Sequence, residues 1–181
     1  MFRRITELDL RALDWLQKHC RRPWLDSIIG TLTHLGDLGF VWILWAAALM
    51  AEQRRECILL LLAIGLSALC CNGLIKPFVP RSRPSDSQQL IDSERSFPSG
   101  HSMASFTSAV LLLILFGGWQ GGFALLLALF ISFSRLYLGV HHPSDVLAGA
   151  VFGSILGLIT EPLFGGLAEK LAAWSVLFLG F

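Results

Sequence analysis

Three short stretches hold the side chains that could do chemistry in this sequence. One runs Lys76-Pro77-Phe78-Val79-Pro80-Arg81-Ser82-Arg83-Pro84. The second is Pro98-Ser99-Gly100-His101, and the third starts at Ser134-Arg135 and continues to His141 and Asp145. Fixed cations beside histidines describe a phosphoryl-transfer site. A phosphate needs several fixed donors; Arg offers a planar fork and Lys a point charge. A helix opening at Pro98–His101 adds unpaired backbone N–H groups and the positive end of a dipole. Gly100 lets that backbone close in, and the Ser99 hydroxyl adds a donor.

His141 and Asp145 are four residues apart and share a face if a helix starts there. A carboxylate on one imidazole nitrogen fixes the tautomer and leaves the other nitrogen free to attack. By spacing alone His142, three before Asp145, competes for the same role. A metal centre of His141, His142 and Asp145 is opposed by the nearby Arg and Lys, which would repel a divalent cation. Lys and Arg at span ends can also simply reach for lipid headgroups. That reading is kept for Arg81 and Arg95, while the combined set assigns Lys76, Arg83 and Arg135 to an anion.

The elements that must position these residues are mostly apolar. Of 181 residues 54% are hydrophobic and 15% charged, against roughly 25% charged in a soluble domain. No Asp, Glu, Lys or Arg occurs from Ser96 to Ser134. A water-soluble fold has no place for such a segment; the net charge of +1 is uninformative, and nothing in the sequence suggests a nucleic-acid face. The chain reads as one all-α membrane domain over residues 1–181, a helical bundle of five to six spans. Its N-terminus is too evenly charged for a cleavable signal peptide. Residues 2–22 instead suit an amphipathic helix in the bilayer interface, with Trp15 and Trp24 as anchors.

A short half-buried helix to about Leu35 follows Pro23. The spans are then expected near 38–51, 57–75, 99–116, 123–138 and 143–160. A connection at 161–170 leads to a short sixth span ending at Phe181. The polar loop 76–97 and the Gly-rich turn 117–122 link neighbours. Cys20, Cys57, Cys70 and Cys71 read as small apolar fillers. With these spans, all three polar stretches fall on one membrane face. The span boundaries follow from apolar length alone, so the co-location independently supports one composite site.

The chain resembles the type 2 phosphatidic acid phosphatase (PAP2) superfamily, whose signatures are KxxxxxxRP, PSGH and SRxxxxxHxxxD. Here they run Lys76 to Pro84, Pro98 to His101 and Ser134 to Asp145, in order and without a departure at a defining position. The resemblance selects His141 over His142 as nucleophile, with Asp145 orienting it and His101 as general acid. It assigns Lys76, Arg83, Ser99, Gly100 and Arg135 to the phosphate oxygens, and implies neither metal nor other cofactor. It implies a phosphorylated membrane lipid as substrate and a bilayer as surroundings. Likeness to small bacterial members favours undecaprenyl diphosphate. The alternatives are phosphatidylglycerol phosphate, phosphatidic acid, transfer of the phosphate to another lipid, or a non-catalytic lipid-binding or transport bundle. It further implies a cell-membrane location with the site facing the periplasm or exterior. That conflicts with the arginines of residues 3–22 under the positive-inside rule, unless residues 24–37 re-enter or cross.

Overall fold

In the computed structural model, which describes residues 2–33, 36, 39–84 and 95–179, seven α-helices build a bundle. They are α1 (Phe2–Cys20), α2 (Pro23–Thr33), α3 (Phe40–Leu49), α4 (Arg54–Ala68), α5 (Gly100–Phe116), α6 (Gly118–Tyr137) and α7 (Pro143–Leu179). Among the described residues, three helical segments are long and apolar enough to cross a membrane: Arg54–Phe78, Gly118–Tyr137 and Pro143–Leu177. Phe40–Leu49 and Gly100–Phe116 are shorter apolar helices. The chain is thus a multi-pass membrane bundle. His34 and Asp37, which interrupt the apolar pattern before α3, lie outside the described residues.

The interior combines an apolar cluster that includes Trp42, Leu59, Leu60, Leu111 and Leu112 with small polar residues along one helix. Ser102, Ser105, Thr107 and Ser108 of α5 are buried, while Leu126, Leu147, Leu158 and Leu163 face outward. In lipid this is the economical arrangement, because small residues let helix backbones approach and hydroxyls find partners across them. α5 and α7 pack along Gly149, Gly153 and Gly157. A methyl group on Gly149 would stand 2.6 Å from the Ser99 carbonyl oxygen, and one on Gly157 2.7 Å from that of Thr107. On the other side of α5, the Trp42 indole of α3 donates to Ser105 Oγ at 3.2 Å.

Two boundaries differ from the sequence expectation. The Gly-rich turn shrinks to Gly117; it and Gly118, the first residue of α6, are both at positive φ. Gly121 already belongs to α6, since a methyl group there would meet the Leu113 backbone at 2.7 Å; it serves a close helix approach instead of a turn. The connection expected at 161–170 does not exist, and no separate sixth span follows. α7 runs straight through, with Pro162 inside it. Glu161, the charge that suggested a break, forms an ion pair with Arg55 of α4. Gly165 leaves the room for that pair. A charge satisfied by a neighbouring helix gives the chain no reason to leave the apolar phase, and membrane helices tolerate an internal proline.

α1 has three faces. Glu7, Arg11, Asp14 and Lys18 are exposed, as are Leu8 and Trp15 on the adjoining apolar face. The inward stripe is Asp9, Leu13 and Gln17, four residues apart each time. Asp9 and Leu13 are buried, and Gln17 Nε2 donates to the Tyr137 carbonyl at 3.2 Å. The helix therefore docks on the bundle through a partly polar seam and turns Leu8 and Trp15 outward.

Candidate active site

The three polar stretches meet at one end of the bundle. α4 continues as a π-helical turn over Leu69–Ile75 and a 3₁₀ turn over Lys76–Phe78. Pro77 has no N–H to close an α turn, and its ring crowds the carbonyl four residues back. The widened turn sets Lys76 Nζ 3.0 Å from Asn72 Oδ1. Wide turns of this type recur at functional sites. Across from it, Ser99 is the N-cap of α5 and accepts weakly from the Ser102 N–H. The Ser99 N–H donates to the Asp145 carbonyl at 3.0 Å, so the starts of α5 and α7 are joined directly.

Lys76, Gly100 and His101 share a cavity of about 240 Å³ whose other walls include Ile64, Cys71 and Ala104. Gly36 lies against the His101 ring closely enough that a methyl group would overlap it at 2.8 Å. Cys71, read as a filler, is buried and donates weakly to the Pro98 carbonyl; it also borders this cavity.

His141 is almost wholly buried, at 2% exposure. The Arg83 guanidinium donates to the Val140 carbonyl at 2.9 Å and to His141 Nε2 at 3.2 Å. A guanidinium only donates, so Nε2 carries the lone pair and the ring proton sits on Nδ1. Nδ1 faces Asp145 Oδ2 at 3.8 Å, an ion-pair distance too long for a hydrogen bond. His142 lies closer: its backbone N–H and its Nδ1 reach the same Oδ2 at 3.0 and 3.1 Å. Both histidines left open by the spacing thus approach one carboxylate, but it is His141 that presents its second nitrogen to Arg83. Burial, with Arg83 and Arg135 adding to it, lowers the His141 pKa to about 4. The ring is neutral at pH 7, the form with a lone pair to give. Burial also lowers Arg83, against the pull of Asp145, but a guanidinium stays charged regardless.

Arg135 is buried in the last turn of α6, and its NH1 donates to Thr33 Oγ1 at 2.9 Å. Thr33 also bonds Ser134 Oγ at 2.8 Å. Seven of the eight residues expected at the site therefore lie in contact pairs or as walls of one cavity, and Arg135 adjoins them through its carbonyl, which accepts from the Val140 N–H at 3.1 Å. Among the described residues no group of three or more His, Cys, Asp and Glu is placed to hold a metal ion.

The PAP2 superfamily model matches residues 56–165. The chain belongs to the PAP2 superfamily. Among its relatives is the lipid A 4'-phosphatase of Bacteroides thetaiotaomicron, 36% identical over 62% of this chain and 53% of that protein. The chain spans about half the length of that relative. The undecaprenyl-diphosphatase of Sulfolobus acidocaldarius is 29% identical over 74% of this chain and 69% of its own. The fold is similar to the crystal structure of a transmembrane PAP2-type phosphatidylglycerolphosphate phosphatase from Bacillus subtilis. That comparison has a TM-score of 0.73 and 28% identity, covering 92% of this chain and 87% of the other.

This PAP2 chain also places at the site residues that the sequence reading gave to headgroups or passed over. Arg81 corrects an expectation: it does not reach outward for headgroups. Its NH1 donates to Asp145 Oδ1 and to Ser144 Oγ, each at 2.6 Å, and its NH2 to Asp9 Oδ2 at 2.6 Å. Arg95, given the same reading, is exposed and donates to the Lys76 carbonyl at 2.9 Å. Position two before Arg83 was the one signal for Arg81. For Asp9 and Thr33, on helices ahead of the family match, no motif gives a signal.

Proposed function

We propose that this protein is an integral-membrane lipid phosphatase that removes a terminal phosphate through a phosphohistidine at His141. The observation that carries the reading is the placement of the His141 ring, with Nε2 against the Arg83 guanidinium and Nδ1 toward Asp145. A binding protein needs the cations but has no use for an oriented, neutral histidine among them.

In this reading the incoming phosphate oxygens draw Arg83 off Nε2 and take its hydrogen bond. Lys76, Arg135, the Ser99 hydroxyl and the Gly100 N–H hold the remaining equatorial charge. The freed lone pair attacks phosphorus. The bond from phosphorus to the bridging oxygen breaks as His101 gives that oxygen its proton. Asp145 meets the positive charge that develops on the His141 ring. Water then attacks the phosphohistidine, His101 accepts its proton, the N–P bond breaks and inorganic phosphate leaves. Asp145 has Oδ1 on Arg81 and Oδ2 on His142. This engagement supports its role as an orienting carboxylate over that of a metal ligand.

The relatives differ in the headgroups they are named for and share a terminal phosphate on a membrane lipid. Undecaprenyl diphosphate is the favoured substrate, with phosphatidylglycerol phosphate and phosphatidic acid as the alternatives. The site faces the periplasm or cell exterior in this reading. The test is phosphate release from these three lipids in detergent micelles, with EDTA present. Release is expected from at least one of them, abolished by His141→Ala and retained in His142→Ala. Equal loss in both variants, or a phosphorylated peptide trapped at His142, would overturn the assignment. Release from none of the three would overturn the function.

A further inference from the structure

α1 lies ahead of the family match, yet it carries a carboxylate into the site. Asp9 is 6% exposed and has all its bonds on residues beside Asp145. Its Oδ1 accepts from the Ser144 N–H at 3.0 Å; its Oδ2 accepts from Ser144 Oγ at 2.5 Å and from Arg81 at 2.6 Å. Arg81 therefore holds one carboxylate on each arm of its fork, Asp9 on NH2 and Asp145 on NH1.

This geometry has two consequences for Asp145. The planar fork cannot swing while both arms are bonded, so Oδ1 of Asp145 is pinned and Oδ2 is left turned to the histidines. The charge count matters as well. A guanidinium paired to Asp145 alone would neutralise the carboxylate that must face a positive imidazole ring. With Asp9 sharing the cation, two negative charges face one positive, and Asp145 keeps its attraction for the ring. A tether for α1 needs none of this, since Leu13 and the bond from Gln17 to the Tyr137 carbonyl already dock the helix. A buried carboxylate is costly unless its partners require it.

We infer that Asp9 is a positioning residue for phosphoryl transfer, acting through Arg81 to hold Asp145 turned toward His141. α1 is thereby part of the reaction machinery as well as a membrane-facing helix. The inference rests on the proposed role of the His141–Asp145 pair, so its test has one arm that needs no turnover.

The variants are Asp9→Asn, which keeps the shape and removes the charge, and Leu13→Ala, which loosens α1 and leaves the carboxylate. Asp9→Asn should lower kcat by about 10- to 100-fold, as loss of a group that orients a reacting residue does elsewhere, with KM changed less than about twofold. Leu13→Ala should lower Tm and leave kcat near wild type. In an Arg81→Met background, Asp9→Asn should add nothing further. Independently of turnover, ¹⁵N-histidine spectra at pH 7, assigned with His141→Gln, should show the His141 tautomer signal altered by Asp9→Asn and unaltered by Leu13→Ala. An unchanged His141 signal in Asp9→Asn overturns the inference even if the protein hydrolyses no lipid phosphate. So does an equal kcat loss in Leu13→Ala, or an additive loss in the Arg81→Met background. If the spectrum shifts as expected but no lipid is hydrolysed, it is the proposed function that fails.

Discussion

Gly149→Ala should disable the site by parting two helices, with no loss of any chemical group. The added methyl would stand 2.6 Å from the Ser99 carbonyl oxygen, 3.0 Å from Ser102 Cβ and 3.2 Å from the Met103 nitrogen. Ordinary contact begins near 3.4 Å, so α7 and α5 must separate by about 0.8 Å at this level. All three obstacles are backbone or Cβ atoms and cannot rotate away. Ser99 is the N-cap of α5 and is bonded to the Asp145 carbonyl. The separation therefore falls between the phosphate-facing helix start and the carboxylate behind His141. Misplacement by about 1 Å costs on the order of 10²-fold in rate, and a loss of that size in kcat is expected.

Overpacking costs about 1–3 kcal/mol, offset in part by the roughly 1 kcal/mol that Ala gains over Gly in a helix. Stability should therefore fall only modestly. Gly157→Ala is the first control. Its methyl meets the Thr107 carbonyl at 2.7 Å, a similar overlap two helical turns farther from the site, so Tm should fall comparably with a much smaller loss of kcat. Gly166→Ala is the second, on the same helix with nothing within 4 Å; it should keep full activity and gain slightly in stability. The assay is kcat on a lipid phosphate at a temperature where all three variants are folded. Wild-type turnover in Gly149→Ala, or equal inactivation by Gly157→Ala, would refute the reasoning.

Protonation of His141 should be visible in stability. Its folded pKa of about 4 lies below the unfolded value of 6.5, so the unfolded chain binds the proton more readily in that window. Stability should be intact above pH 6.5, fall by about 3 kcal/mol as pH drops toward 4, and level off below. Thermal unfolding against pH measures it, and a slope that survives in His141→Asn would assign it elsewhere. Thr33→Val removes the acceptor for Arg135 NH1 while keeping the shape. A buried group that loses its hydrogen-bond partner costs about 1–3 kcal/mol, so inhibition by vanadate should weaken about tenfold; an unchanged inhibition constant would detach Arg135 from the anion site.

Much of the site was legible because each motif sits at a helix end. Pro98-Ser99-Gly100 announced a capped start, and α5 begins at Gly100 with Ser99 as its cap. Pro143 marked the start of α7 in the same way. The misreadings have a common physical source. Arg81 looked like a span-end cation because local sequence does not show a partner 72 residues earlier, which is where Asp9 lies. Glu161 looked like an exit from the membrane because its partner, Arg55, is 106 residues away. Gly121 looked like a turn because glycine serves both turns and close approach, and only the position of Leu113 decides. The choice between His141 and His142 was likewise beyond spacing, since both rings come within ion-pair range of one carboxylate.

The outward-facing leucines change what unfolding means for this protein. Leu126, Leu147, Leu158 and Leu163 already face outward, and the buried Trp42, Leu59, Leu60, Leu111 and Leu112 would meet hydrocarbon in place of water on separation. Pulling the helices apart inside a micelle would therefore transfer little apolar surface into water. The heat-capacity rise and the denaturant slope that report exposed apolar area in soluble proteins should both be small here. What holds the helices is close packing, of the buried apolar cluster and of backbone at Gly149 and Gly157, together with bonds such as that from the Trp42 indole to Ser105. These forces fall off within a fraction of an ångström or with a change of angle. The bundle is accordingly a poor absorber of small distortions. It behaves as a mechanism with tight tolerances, in which fit between backbones, not burial from water, sets the margin for error.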